Sequence, residues 1–292
     1  MTIALSDAAA NTSRLYNGLV RLTRDPMGAI GLVLVVLLVL SAVFAGLLAP
    51  FDPAAIDVPS KLQPPSWTHW LGTDQLGRDV LSRALYGGRI ALGVALVSTG
   101  LAVGIGMVLG MIAGFGPRWL DNIIVLAFDT VRAYPVIILA LAVGPIFGAG
   151  ITTVVGILVA TSVPYYGRIV RTSVISASKS EYVEALMAMG MSRTRIVARH
   201  ILPNIIGPIL ILASMDIPTF IAAEAGLSFL GVGVKPPTSS WGLILDDGYK
   251  FIRQTPWLVV AGSVPLILAT LGFTFLGEAL RDVFDPKLRK EV

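Results

Sequence analysis

Two stretches of this chain limit its fold more than any other feature. There are 28 residues without a charge between Arg89 and Arg118, and 35 between Arg132 and Arg168. A soluble domain needs a polar face along each surface helix or strand, so it cannot leave this much consecutive sequence uncharged. A helix rising about 1.5 Å per residue crosses a hydrocarbon layer about 30 Å thick in roughly 20 apolar residues. The first stretch is one crossing with residues to spare. The second would reach about 52 Å as a helix, too long for one crossing and slightly short for two.

Composition agrees with this. Charged residues make up 14% of the 292 and hydrophobic ones 55%, with a mean hydropathy of +0.80. A soluble domain carries about 25% charge. Disordered, collagen-like and coiled-coil classes are excluded by the same numbers. Cysteine is absent, which removes disulfides, thiolate metal sites and cysteine nucleophiles. The class is an all-α integral membrane protein.

The other crossings follow by the same count. Residues 28–49 run 22 positions without charge and end at Pro50, too long and too far in for a cleavable signal peptide. They form the first transmembrane helix, after an N-terminal tail of residues 1–27. The 90–117 stretch is the second, with Gly100, Gly104, Gly110 and Gly114 and, between them, Gly106. Such small residues let neighbouring helices approach closely in lipid. Gly144 to Gly150 breaks the 35-residue stretch, so two crossings share it and the third begins before Arg132. Asp129 and Arg132, at i and i+3, are spaced to pair on one face. A fifth crossing runs from about Ile201 to about Ala225 and a sixth over 254–277, for six transmembrane helices in all. Fifteen of the 22 Lys and Arg fall in the N-terminus, 115–132, 168–200 and the C-terminus, against seven in 50–89 and 225–256. The positive-inside rule therefore predicts cytoplasmic N- and C-termini. The net charge of +4 then reports topology and carries no case for nucleic acid.

The longest cytoplasmic link, Ser178 to Asn204, is amphipathic and basic. A helix is expected from Ser180, with Glu181 and Glu184 near its positive dipole end and Tyr182, Leu186 and Met189 on one face. Gly190 breaks it, and a second helix with Arg193, Arg195 and Arg199 stops at Pro203. On composition alone, two short helices resting on anionic headgroups fit as well.

The pattern E-A-x-x-x-x-G at Glu184, Ala185 and Gly190, followed by L-P at Leu202 and Pro203, resembles the EAA motif of ABC importer permeases. Leu186 stands where a third small residue is usual and His200 where Ile is common. His69 to Leu92, Glu224 to Gly242 and Leu276 to Arg289 resemble the peptide/nickel group of these permeases, in particular its C-type (OppC/DppC-like) subunit. The likeness covers roughly residues 15–290. It implies a type I importer permease (MetI-like) fold and a core domain over 90–282 with a coupling segment at 178–204. It also implies a partner B-type permease, two cytoplasmic ATP-binding subunits that bind ATP and Mg, and an extracytoplasmic solute-binding protein. The location it implies is a bacterial or archaeal plasma membrane, with lipid as a further partner. In this family the EAA helices dock in a groove of the ATPase, so Glu184, Ala185 and Gly190, with Tyr182, Leu186, Met189, Leu202 and Pro203, are the expected coupling residues. Peptide is the expected cargo, with nickel, glutathione and oligosaccharide as alternatives.

None of the six lysines follows a glycine, so the chain has no G-x-x-x-x-G-K-[ST] phosphate loop of its own. It is read as a transport subunit and not an enzyme, with no cofactor on this chain. His69 and His200 fall on opposite sides by this topology, which gives no metal site. Asp216 and Glu224 lie in or at the rim of the fifth crossing, and ionisable residues there are candidates for a translocation path or gate. Residues 50–89 are expected as an extracytoplasmic loop holding a surface amphipathic helix. There Leu76, Val80, Leu81 and Leu85 oppose Arg78, Asp79 and Arg83, with Trp67 and Trp70 as interfacial anchors. The loop around Trp241, Asp246 and Asp247 is the better candidate for docking a binding protein. A secondary transporter working alone would need a carboxylate relay and no docking element. Asp216 and Glu224 lend it slight support; Ser178–Asn204 speaks against it. Residues 283–292 form a C-terminal cytoplasmic tail.

Overall fold

A computed structural model describes residue 23 and residues 25–284. The expected tails at 1–27 and 283–292 lie almost wholly outside the described residues. Regular structure among the described residues is helical, apart from one isolated antiparallel bridge between Thr73 and Asp79.

Helix α1, Pro26–Val43, starts where Asp25 Oδ2 accepts from the Gly28 amide at 2.8 Å and Pro26 fills the first turn, a favourable N-terminus. One further turn, α2 (Ala45–Leu48), follows. The Arg89 guanidinium donates to the Ala42 carbonyl at 2.5 Å and the Val43 carbonyl at 2.8 Å. It thereby satisfies acceptors that the end of α1 leaves open.

Helix α3, Val80–Phe115, has 36 residues, and Asp79 caps it by accepting from the Ser82 amide at 2.8 Å. The separate surface helix expected within 50–89 is not what forms. Residues 50–79 hold a single 3₁₀ turn, Val58–Ser60, and the helix that begins at Val80 runs unbroken into the crossing. Arg78, Asp79 and Arg83, expected to face water, are buried, Arg83 to 2% exposure. Trp67 and Trp70 are both exposed, Trp67 to 98%.

Helices α4 (Arg118–Arg132) and α5 (Val136–Phe147) meet at a bend of 89° and together have the length and composition of one crossing. Pro135 causes the break, since it lacks an amide and pushes Tyr134 out of helical geometry. Gly148, at φ +81°, ends α5, and α6 spans Ile151–Ser178. The break expected near Gly144–Gly150 is present, and a helix does begin before Arg132, at Arg118. Asp129, however, pairs with Arg168 on α6, not with Arg132. Asp121 pairs with Arg171 on the same helix through two contacts of 2.5 and 2.7 Å. Arg168 displaces the local i, i+3 partner of Asp129 because α4 lies across α6.

The α3–α6 contact is the most extensive in the fold. Its seam is Gly106, Gly110 and Gly114. A Cβ at Gly110 would lie 2.5 Å from the Gly167 carbonyl oxygen, and one at Gly106 2.8 Å from Tyr166 Cβ. Gly100 and Gly104 meet nothing within 4 Å among the described residues, so the seam uses only part of the glycine series.

After α6 come α7 (Glu181–Ala188), α8 (Arg193–Ile196) and a π-turn (Val197–Ile201). The rest is α9 (Leu202–Phe229), α10 (Trp241–Lys250) and α11 (Trp257–Phe284). Five helical runs are long and apolar enough to cross a membrane, and α4–α5 taken together makes six.

Candidate functional site

The Ser178–Asn204 segment sits at one end of the bundle and is anchored into it. Helix α7 begins as the Val183 and Glu184 amides donate to the Ser180 carbonyl at 3.0 and 3.2 Å. It ends in a Schellman motif. The Gly190 amide donates to the Met187 carbonyl at 3.0 Å and the Met191 amide to the Leu186 carbonyl at 3.1 Å. Gly190 has φ +79°, a left-handed position that costs a side-chain-bearing residue about 1–2 kcal/mol. The glycine break expected from sequence is therefore a formed cap.

Val183, Ile196 and Ile201 are fully buried in the same apolar cluster as Val170 and Val174 of α6, and Leu186, Met191 and Leu202 pack against it. Tyr182, Glu184, Ala185, Met187 and Met189 are exposed, Met189 to 72%. The expected stripe of Tyr182, Leu186 and Met189 is thus divided, because Leu186 serves the interior. The second helical piece does not stop at Pro203 either. Pro203 lies in the first turn of α9, where its missing amide leaves the Arg199 carbonyl without a helical partner. The π-turn at Val197–Ile201 carries the chain through that defect. Arg193 to Phe229 is one helical run of 37 residues.

A second site lies along the crossing helices. Asp216, near the midpoint of α9, accepts from the Tyr166 hydroxyl at 2.7 Å, near the midpoint of α6. Both are roughly 20 Å from the ends of their helices. A cleft of about 500 Å³ opens there, lined by Asp216, Tyr165, Thr161, Ser162, Thr219 and, from the broken crossing, Arg132, Tyr134 and Pro135. Glu224 does not share it. Its exposure is 0%, and Oε1 accepts from the Ser228 hydroxyl at 2.7 Å. The same hydroxyl accepts from the Val234 amide at 3.1 Å, so Glu224 holds the turn after α9. The path role expected for Glu224 has no support in that position.

At the opposite end of the bundle, sequence reasoning missed a buried charge cluster. Asp74 Oδ2 accepts from Arg78 Nε at 2.7 Å and from Arg83 Nη1. Asp247 of α10 accepts from Gln75 Nε2 at 2.8 Å and lies 3.5 Å from Arg83 Nη2. His69 Nδ1 meets Asp79 Oδ1 at 2.9 Å. Burial pushes the Asp247 carboxyl above its ordinary value, against the pull of the Arg83 guanidinium. Trp241, expected as part of a docking loop, is 2% exposed. The available signal was the density of opposite charges in Asp74–Arg83 facing Asp246–Asp247.

The family described as binding-protein-dependent transport system inner membrane component matches residues 106–290, and the N-terminal TM domain of oligopeptide transport permease C matches residues 14–65. Over 269 residues the chain is 38% identical to the dipeptide transport system permease protein DppC of Alkalihalophilus pseudofirmus, covering 92% of this chain and 88% of that protein. A putative peptide permease protein of Brucella suis is 36% identical over 280 residues, covering 95% and 93%. Among solved structures, an inward-facing form of the MetNI methionine ABC transporter superposes with a TM-score of 0.56 at 20% identity, over 69% of this chain and 96% of that one. That likeness is one of fold.

Proposed function

The chain belongs to the family of binding-protein-dependent transport system inner membrane components, and we propose that it is the C-type permease subunit of an ABC importer that takes up peptides. The observation that carries the cargo is the 38% identity to a dipeptide permease across nearly the whole of both chains. The chain is a multi-pass inner-membrane protein, and its family speaks against a transporter that works alone. It pairs with a homologous B-type permease, receives substrate from an extracytoplasmic solute-binding protein, and is driven by two cytoplasmic subunits that bind ATP and Mg.

In this reading the α7 end and both termini face the cytoplasm, and the ATPases act on the exposed side of α7 at Tyr182, Glu184, Ala185 and Met189. Support comes from the way the segment is held. The Gly190 cap fixes the angle between α7 and α8, and Val183 and Ile196 lock both into the bundle core. A force applied to such an element passes to α6 and α9 without being absorbed locally. Leu202 and Pro203 sit where the segment becomes α9.

The test is uptake by cells carrying the complete transporter. Deleting this chain should abolish accumulation of labelled dipeptides, and restoring it should recover the wild-type rate. Unchanged dipeptide uptake in the deletion strain, with loss of a different cargo, would overturn the peptide assignment.

A further inference from the structure

We propose that the cleft between α6, α9 and the break in the third crossing is a substrate relay site, in which Asp216 receives the ammonium group of the passing peptide and Arg132 faces its carboxylate. The inference rests on the peptide-importer reading and adds to it the chemistry of a station inside the passage.

Three observations meet at this place. First, one of its walls is non-helical backbone. The chain turns by 89° at Ala133–Pro135, and Arg132, Tyr134 and Pro135 line the cleft. Within a membrane such backbone survives only where it is buried in protein or lines water, since lipid offers nothing to its polar groups. The C-terminus of α4 and the N-terminus of α5 both end here, so dipole ends of opposite sign meet at its rim.

Second, a carboxylate and a guanidinium share the cleft. Asp216 Oδ2 is held by the Tyr166 hydroxyl, while Oδ1 has no hydrogen-bond partner among the described residues. Arg132 is exposed. Charges halfway along crossing helices are expensive against lipid and belong on an aqueous pathway. Third, the neighbouring walls mix apolar Val131, Val136 and Phe220 with hydroxyls from Ser162, Tyr165 and Thr219, while the Thr161 hydroxyl donates to the Ile157 carbonyl at 2.8 Å and offers only its lone pairs. The contrast with the larger cavity of about 760 Å³ between α3 and α6 is direct. That one is walled by Val97, Leu101, Ile105 and similar side chains, which suit lipid or an apolar helix.

Because this chain has no cysteine, one introduced thiol is its sole target, and labelling is read on this chain after separation from its partner subunits. Thr219, one turn from Asp216 and exposed, is replaced in Thr219→Cys. The variant is assembled with its partner subunits in membrane vesicles and labelled with a cationic or an anionic methanethiosulfonate. Rates are normalised to a free thiol. The expected result is a cationic preference of about tenfold, abolished by adding Asp216→Asn and retained with Asp216→Glu. A dipeptide with a free amino group should slow the labelling, and its N-acetylated form should not. Ser162→Cys repeats the measurement from α6 if Thr219→Cys assembles poorly.

Labelling that is absent at both positions, or that is insensitive to Asp216→Asn, would overturn the site. A cationic preference that depends on Asp216 but is protected by other ammonium solutes and by no peptide would uphold the cation site and overturn the peptide reading.

Discussion

The indole N–H of Trp241 donates to the Ala84 carbonyl at 2.8 Å, joining the helix between the last two crossings to the start of the second. The fit leaves no room, because a Cβ at Gly87 would lie 2.9 Å from Trp241 Cδ1. Trp241→Phe should lose one buried hydrogen bond, about 1 kcal/mol, whereas Trp241→Ala should cost about 3–5 kcal/mol through the cavity left behind. Thermal unfolding of the two variants in detergent checks the order, and equal melting temperatures would refute it.

Asp74 carries two arginines in a buried setting. Replacing it with Asn leaves Arg78 and Arg83 short of an anion, a loss of about 3–5 kcal/mol. The expected outcome is reduced yield of folded chain and earlier unfolding, with the proteolytic susceptibility of residues 50–79 raised first. A variant as stable as the wild type would show that Asp247 alone balances both guanidiniums.

Asp247 predicts a pH effect of definite sign. Burial raises its folded pKa above the ordinary 3.8. Its contribution to stability is therefore fully present below the unfolded value and is lost as pH rises through the folded value. Asp247→Asn removes that loss. Relative to wild type, the variant should gain stability as pH rises above the ordinary carboxylate value, read as the difference in melting temperature at successive pH values. A difference that is flat or falls with pH contradicts the burial argument.

Gly190→Pro cannot adopt φ +79° and deletes the amide that donates to Met187, so the α7–α8 angle is lost. Uptake and substrate-stimulated ATPase activity should drop sharply while the chain still inserts. Gly190→Ala, with open space around its Cβ, should lie between, at about 1–2 kcal/mol of local strain. Glu184→Lys should uncouple without unfolding, since Glu184 is exposed. Full transport in the proline and lysine variants together would remove α7 from the coupling path.

The glycines of α3 separate close packing from simple sequence pattern. Gly110→Ala places a methyl against the Gly167 carbonyl and should destabilise by about 1–3 kcal/mol. Gly104→Ala, facing open space, should be neutral or slightly stabilising through helix propensity. Melting of the full chain expressed alone decides between them.

Crossings are legible in this sequence because a bilayer imposes a length, and only long, predominantly apolar runs satisfy it. The Gly190 break is legible because few residues tolerate a positive φ. Burial of Arg78, Asp79 and Arg83 was not legible. Helical periodicity marks a polar face, and it cannot say whether that face meets water or meets Asp74 and Asp247. The partner of Asp129 was hidden for the same reason, as sequence spacing offers Arg132 and only the crossing of α4 over α6 offers Arg168. The α3 series contains more glycines than the seam uses, and the position of α6 alone selects Gly106, Gly110 and Gly114.

The uninterrupted run from Arg193 to Phe229 has a mechanical consequence. The π-turn at Val197–Ile201 carries the helix past Pro203, so Arg193 and Phe229 are the two ends of one element roughly 55 Å long. Such a rod acts as a lever, and rocking it by about 10° about its centre would carry each tip through about 5 Å. Pro208 and Pro218 mark where it can flex. Asp216 stands between them, close to the fulcrum, where a bound cargo would be tilted far more than it is displaced.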